Sequence, residues 1–527
     1  MSKEKELDSE IQKFLENFGE FVNDIQYDSW PIWWFFKMDF LGDDLPPQFL
    51  RHEKIVKSIL NEKKLSIKDK LRDGLKIFFL TKSLYYNEKS KYWISKFNRK
   101  RSPLEENRDT VMFLAHTNAI LFDKFDEFEV DRVESVVKEV REDPSLQEYI
   151  SIIDPLSHNS LLKLLKYPNL VYRFIDPEIQ KKAKENSHNL NKKWKNLRDN
   201  LKFDPIERGI FEYFKPALDF YFSREVIYLI ILYYEMYKKV LREQKIKLLC
   251  LYSTTKLIIK CAIASADKLK IKTLHIFHGF GMPTLNSELP NSVYYAVPGE
   301  KYKEKLINLK VKPENIFITG PVFMDYIPQF LEKIPSKKDK KRILIATQPL
   351  VEEKLIEKKK YFDYVNRYLN SLSELEVDEI VIKLHPRERY INSYRAIINS
   401  LDSNKIRLEL DQKKQTLYSL LSKSDVLITF FSSTVTIESM HIDVPTLTVD
   451  LVEYNNPDLI MDNTEEIIHM KPDDDISKIV NKILYDKDFR EDVIRKGERF
   501  TREYLYKVDG KSGKRTSRLI KNLIPKG

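Results

Sequence analysis

Apolar positions along the chain change their period near residue 106, and that change divides it. Over residues 1–105 they recur at helical spacing, most clearly Ile11, Phe14, Leu15, Phe18 and Phe21, and no strand-like run interrupts them. The spacing predicts an accessory helical region. Within it, YDSWPIWWFFKMDF crowds together Trp30, Trp33, Trp34, Phe35 and Phe36. Such a run serves as an anchor at a membrane interface, as an acceptor platform, or as plain core, and core packing is the simplest of the three.

At residues 110–116 the run TVMFLAH, bounded by charged residues, reads as a buried strand. Beyond it the pattern is helical to about residue 245, and FSREVIYLIILYYEMYKKVLREQ, apolar almost all round, reads as a buried helix. A rapid alternation follows: KIKLLCLYS, a helix through IIKCAIASADKLK, IKTLHIFHG, SVYYAVPGE, a helix through KYKEKLINLK, and NIFITGP. Residues 331–341, LEKIPSKKDKK, are polar and lysine-rich, as an interdomain linker is.

A second alternation then runs through RILIATQP, EIVIKLHP, IRLELD, VLITFFSS and TLTVDL, again with single helices between strands. Apolar strands separated by single helices imply parallel pairing with right-handed crossovers. The class is α/β, with two doubly wound parallel sheets. The divisions expected are a helical extension (1–105), a first Rossmann-like domain (106–335), a second (336–505) and a basic terminal helix (506–527), which either packs back on the first domain or stays solvated.

Length agrees with this division, because 527 residues exceed the roughly 250–300 that one core supports. The excess of 90 Lys and Arg over 80 Asp and Glu is interleaved along the chain. It therefore reads first as a solvated surface, then as a lining for phosphates or a contact with an anionic membrane. No aromatic-basic pattern speaks for nucleic acid. Cys250 and Cys261 have the spacing of neither a zinc site nor a disulfide framework, which fits a reducing compartment. The charged opening MSKEKELDSEIQKF lacks a secretory pattern, and the longest apolar stretch, 226–234, is far below the roughly 20 residues that span a bilayer. The expected location is the cytoplasm, with a peripheral contact on the inner membrane face as a further expectation.

Ligands of open parallel sheets bind beyond the carboxyl ends of the strands, so strand-terminal residues are the candidates. EIVIKLHPRE ends in His385, Pro386, Arg387 and Glu388. An imidazole there can donate to a phosphate oxygen while the proline fixes the backbone; the bland alternative is a loop histidine. SDVLITFFSSTVTIESM places Ser432, Ser433 and Thr434 where a strand turns into a helix, and a helix start with exposed N–H groups favours an anion, although Ser and Thr are also ordinary caps. Glu438 lies one turn on and can reach a ribose hydroxyl.

IKTLHIFHGFGMP ends a strand at His278, followed by Gly279 and Gly281; His278 is the candidate general base. NIFITGPVFMD carries Gly320 and Asp325, the latter an alternative base or a cap. The glycines suit close backbone approach at a cleft. Neither GxGxxG nor a Walker pattern is present, and no acidic pair at a strand end points to a metal.

At these residues the chain resembles the GT-B superfamily of surface-polymer synthesis, with CDP-glycerol glycerophosphotransferases, bacterial sialyl- and polysialyltransferases and capsule Kdo transferases; the likeness covers roughly 106–505. SDVLITFFSSTVTIESM resembles their serine motif and KLHPRE their His-Pro motif, which implies that Ser432, Ser433 and His385 touch the phosphates of a cytidine-linked donor. IFHGFG is similar to the His-Gly motif of the glycerophosphotransferases, which implies a catalytic role for His278. VPGEKYKEKLINLKVKPENIFITGPVFMD is similar also to UDP-N-acetylglucosamine 2-epimerases. Two departures count: no acidic-acidic-glycine motif of the sialyltransferases, and Phe431, Ser432, Ser433 and Thr434 in place of the epimerases' Asp-Ser-Gly-Gly.

The resemblance implies two lobes facing across a cleft and a metal-independent transferase without a cofactor, moving a sugar or polyol phosphate from a nucleotide-activated donor to a glycan or lipid-linked acceptor of the cell surface. A 2-epimerase acting on a nucleotide sugar alone and a non-catalytic scaffold are the alternatives.

Overall fold

The computed structural model describes residues 13–14, 17–41, 107–115, 120–122, 128–130, 133–152, 171–254, 256–279, 289–332, 340–353, 355–401, 403–411, 414–431, 433–452 and 465–525. Most of the expected helical extension, most of the linker, and the positions Ser432 and Gly281 lie outside the described residues.

Two six-stranded sheets carry the molecule. The first contains β1 (Asp109–Ala115), β2 (Leu146–Ile152), β3 (Ile246–Leu251), β4 (Lys272–Ile276), β5 (Val293–Val297) and β6 (Ile316–Ile318), in the order β6-β5-β4-β3-β1-β2. Pairs β1 with β2, β1 with β3, β3 with β4 and β5 with β6 run parallel. The second contains β7 (Arg342–Ala346), β8 (Glu379–Lys383), β9 (Ile406–Glu409), β10 (Val426–Thr429), β11 (Thr446–Val449) and β12 (Ile468–Met470), all parallel, in the order β9-β8-β7-β10-β11-β12. That order reverses between β7 and β10, the switch point at which doubly wound sheets hold ligands. The α/β class and the two doubly wound sheets are as the sequence predicts.

Contacts divide the chain into two compact units, Met1–Ile276 with Glu288–Tyr294 and Arg518–Gly527, and Phe277–Ser287 with Tyr295–Ser517. In the first, the tryptophan-rich run forms the helix Ile32–Leu41 and is core. Trp33 is 3% and Trp34 8% exposed, and Phe35 and Phe36 are fully buried. Trp33 meets Phe18 edge-on with centroids 5.1 Å apart, and Phe36 stacks on Tyr221 at 4.5 Å. Rings spent in this way do not form an interfacial anchor, so the membrane and acceptor-platform readings of this run are corrected. The apolar helix Arg224–Glu243 is buried as expected.

Two short hairpins and two edge strands depart from the sequence reading. Gln26–Tyr27 pairs with Trp30–Pro31 in a region expected to be purely helical, across a turn whose Asp28 and Ser29 have positive φ. Ile120–Phe122 pairs with Phe128–Val130, and β2 occupies a stretch read as helix. LQEYISI is an edge strand in which Gln147, Glu148 and Ser151 interrupt the continuous apolar run used to find the others. The short edge strand β12 was likewise not expected.

In the second unit, Ile343, Ile345, Ile380, Ile382, Val426 and Ile428 pack one face of the sheet against Tyr361, Val365 and Leu369 of the helix Lys358–Ser373 and Val480 and Ile483 of Ile476–Tyr485. Strands buried in this way hold their carboxyl ends in fixed register, and those ends carry the motifs.

Candidate active site at the carboxyl ends of the second sheet

Two consecutive residues after β7 connect the two motifs of this lobe. The side chain of Gln348 accepts the N–H of Phe430 at 3.1 Å and donates to the carbonyl of Phe431 at 3.0 Å and to Ser433 Oγ at 3.4 Å. It spans the turn between β10 and the helix Thr434–His441. The preceding Thr347 Oγ1 accepts the N–H of His385 at 3.2 Å. Ser433 and His385, 48 positions apart by their numbers, are thus tied to neighbouring residues at the switch point.

Ser433 is the extended N-cap of that helix, and its own N–H is held loosely by Thr436 Oγ1 at 3.4 Å. Ser433 and Thr434 are partly exposed, as groups that meet a ligand must be. A helix beginning here presents partial positive charge to the switch point. Its Glu438 is 8% exposed and accepts the hydroxyl of Tyr418 at 3.0 Å, while Tyr418 stacks on Phe330 at 5.4 Å.

The His-Pro turn is built on Glu388. Its Oε2 accepts the N–H of His385 at 2.7 Å and the hydroxyl of Thr347, and its Oε1 accepts Tyr394 at 2.5 Å. Burial drives this carboxyl up and the nearby Glu352 adds to it. The bonds from Thr347, Tyr394 and His385 pull the other way without prevailing, so the group is pushed up to about 7. The letters placed Glu388 in the motif but assigned it no part; only the fold shows that it faces inward. Pro386 and Arg387 are exposed, and Arg387 pairs with Glu353 at 2.6 Å.

The two histidines of the LHIFHG segment have opposite fates. His275, on β4, is 4% exposed, and burial, opposed only by a backbone hydrogen bond at Tyr252, lowers it to about 4. His278 lies past the strand end and is partly exposed. The next residue, Gly279, sits where an added Cβ would lie 3.4 Å from Thr434 Oγ1. The His-Gly loop therefore reaches the start of the helix Thr434–His441.

Asp325 and Gly320 serve a different end. The two oxygens of Asp325, 4% exposed, accept the N–H groups of Ser512 at 2.9 Å and Gly513 at 2.6 Å and so cap the helix Ser512–Leu523. A carboxylate held in that way is a cap, which corrects its assignment as an alternative base. Gly320 has φ +95°, and a Cβ there would fall 2.7 Å from Tyr506 O. It permits a close approach of the terminal segment, not of a ligand.

Among the described residues, no group of three or more His, Cys, Asp or Glu is placed to hold a metal ion. No helix among them is long and apolar enough to cross a membrane.

The family model for UDP-N-acetylglucosamine 2-epimerase matches residues 229–521, more than half of the chain. Comparison with curated proteins gives no match. Among solved structures, the Staphylococcus aureus MnaA–UDP co-structure is 14% identical, with a TM-score of 0.48 over 79% of this chain and 98% of that one. The 2-epimerase of Neisseria meningitidis bound to UDP-GlcNAc is 14% identical, TM-score 0.45, over 79% and 99%. MurG of Acinetobacter baumannii is 11% identical, TM-score 0.44, over 79% and 99%. The matched family is the one the sequence reading held as its alternative, not the surface-polymer transferases placed first.

Proposed function

The chain belongs to the UDP-N-acetylglucosamine 2-epimerase family, and from that premise we propose that it is a nucleotide-sugar enzyme acting at C2 of a UDP-linked amino sugar. The observation that supports this most is the joint attachment of Ser433 and His385 to Gln348 and Thr347 at the switch point. The diphosphate lies against the N–H groups at the start of the helix Thr434–His441 and accepts a hydrogen bond from His385. Glu438 takes a ribose hydroxyl.

The chemistry follows from the substrate. A C2 proton beside an acetal carbon is too weakly acidic to leave alone. Its removal by a base therefore accompanies cleavage of the C1–O bond, the electron pair forming C1=C2 while UDP departs with the oxygen. Re-addition of UDP to C1 and of a proton to the other face of C2 gives the epimer with atoms balanced. His278, on the loop beside Thr434, is the base in this scheme. The helix start and His385 stabilise the charge that develops on UDP.

A second reading is favoured by one observation, Phe431 and the hydroxyl-bearing residues 432–434 where the epimerases have Asp-Ser-Gly-Gly. On that reading the same leaving-group site serves transfer from a cytidine- or uridine-linked donor, and His278 deprotonates an acceptor hydroxyl. Incubation of the purified chain with UDP-N-acetylglucosamine alone, followed by proton NMR in D2O, separates the two. An epimer with deuterium at C2 supports the first reading. An unchanged sugar, with donor consumed only when a glycan acceptor is added, supports the second.

A further inference from the structure

We propose that Glu388 is a positioning residue that sets the tautomer of His385, so that the ring offers a proton from Nε2 to a phosphate oxygen. The backbone N–H of Arg387 donates to His385 Nδ1 at 3.1 Å. A backbone amide can only donate, so Nδ1 carries the lone pair and the ring proton resides on Nε2. That geometry requires a tight turn from His385 to Arg387, and Glu388 makes it by reaching back to the His385 N–H at 2.7 Å. The carboxylate is in turn fixed from behind: Thr347 holds Oε2, and Tyr394, itself 2.7 Å from the Tyr361 hydroxyl, holds Oε1. Arg389 N–H to Glu352 at 2.6 Å closes the far side of the loop.

The use for a phosphate rests on the function proposed above, whereas the tautomer does not. A ring held in this tautomer has no lone pair on its outward nitrogen and so can only donate there, which separates its task from that of His278. The outward behaviour of the ring is therefore decided three residues away, by a group that touches no ligand.

Long-range proton–nitrogen spectra of the full chain labelled at histidine, with His385→Gln to assign the signal, test this directly. The wild type is expected to show a neutral ring protonated at Nε2. Glu388→Ala is expected to move both nitrogens toward an averaged mixture, and Glu388→Gln, whose one amide oxygen can still accept the His385 N–H and the Thr347 O–H although its NH2 cannot accept from Tyr394, to restore the wild-type pattern. Thr347→Val, which keeps the shape of the site, is expected to show a smaller shift of the same sign and stands in if Glu388→Ala does not fold. A His385 signal unchanged in both variants, or a wild-type proton on Nδ1, overturns the proposal.

Titration with UDP and with uridine completes the test. Glu388→Ala should weaken UDP about tenfold, the scale of one hydrogen bond to a charged group, and leave uridine unchanged. Equal loss of both ligands contradicts a positioning role. A wild type that binds neither overturns the proposed function, and the spectra then still decide the tautomer.

Discussion

Gln348 Nε2 donates to Ser433 Oγ at 3.4 Å across 85 positions of sequence, while the same side chain accepts the buried N–H of Phe430. This one amide shapes the strand-to-helix turn. Gln348→Leu has nearly the same volume and removes every one of these bonds. The variant should lose about 1–3 kcal/mol of stability from the orphaned amide and bind UDP more weakly. Unfolding in urea and calorimetric titration measure the two effects.

Glu388 makes stability depend on pH. Its folded value of about 7 lies above the ordinary carboxylate value. A group raised in this way contributes fully below the unfolded pKa and loses that contribution as pH rises through the folded one. The loss amounts to at most about 3 kcal/mol between pH 4 and 8. The other groups beside it are Glu352, which repels the charge, and Tyr361 and Tyr394, both raised well above their usual range by burial and so uncharged in this window. The advantage of wild type over Glu388→Gln in urea midpoint should therefore shrink steadily from pH 5 to pH 8. A constant difference would show that Glu388 does not titrate there.

Much of this arrangement was legible in the letters. Continuous apolar runs such as EIVIK and VLIT found central strands, and His385 and Ser433 follow their carboxyl ends. Edge strands were missed because the polar Gln147, Glu148 and Ser151 break up LQEYISI, although most of it is buried, and because IHM is only three residues long. Glu388 and Gln348 were missed for another reason. A polar side chain three residues after a histidine, or two after a strand, has no signature until the fold turns it inward. Asp325 illustrates the converse: its partners Ser512 and Gly513 are nearly 190 positions away, beyond any local pattern.

Asp325→Ala separates a cap from a base. Loss of two backbone partners on a buried carboxylate should cost about 1–3 kcal/mol and loosen the terminal helix, with turnover unchanged below the new melting temperature. A collapse of turnover at unchanged stability would return Asp325 to the chemistry.

Gly320→Ala and Gly279→Ala should differ sharply. At Gly320 the added carbon meets backbone at 2.7 Å in a positive-φ conformation, whereas at Gly279 it makes ordinary contact at 3.4 Å with Thr434. The first should lower stability by about 1–3 kcal/mol and the second should fold as wild type. Thermal unfolding compares them.

His278→Ala should leave UDP affinity intact and reduce turnover by about 10²–10⁴-fold, the range for loss of a general base. Calorimetry beside a rate assay reads both. Loss of UDP binding instead would exchange the roles given to His278 and His385.

The most direct measurement is a crystal structure of the chain soaked with UDP. The expected result is a diphosphate at the carboxyl ends of β7, β8 and β10, with oxygens in hydrogen-bond reach of the N–H groups that open the helix Thr434–His441 and of His385 Nε2. Well-ordered UDP elsewhere, for instance in the groove of about 530 Å³ lined by Lys358, Phe362, Asn366 and Ile397, with His385 and Ser433 untouched, would contradict it.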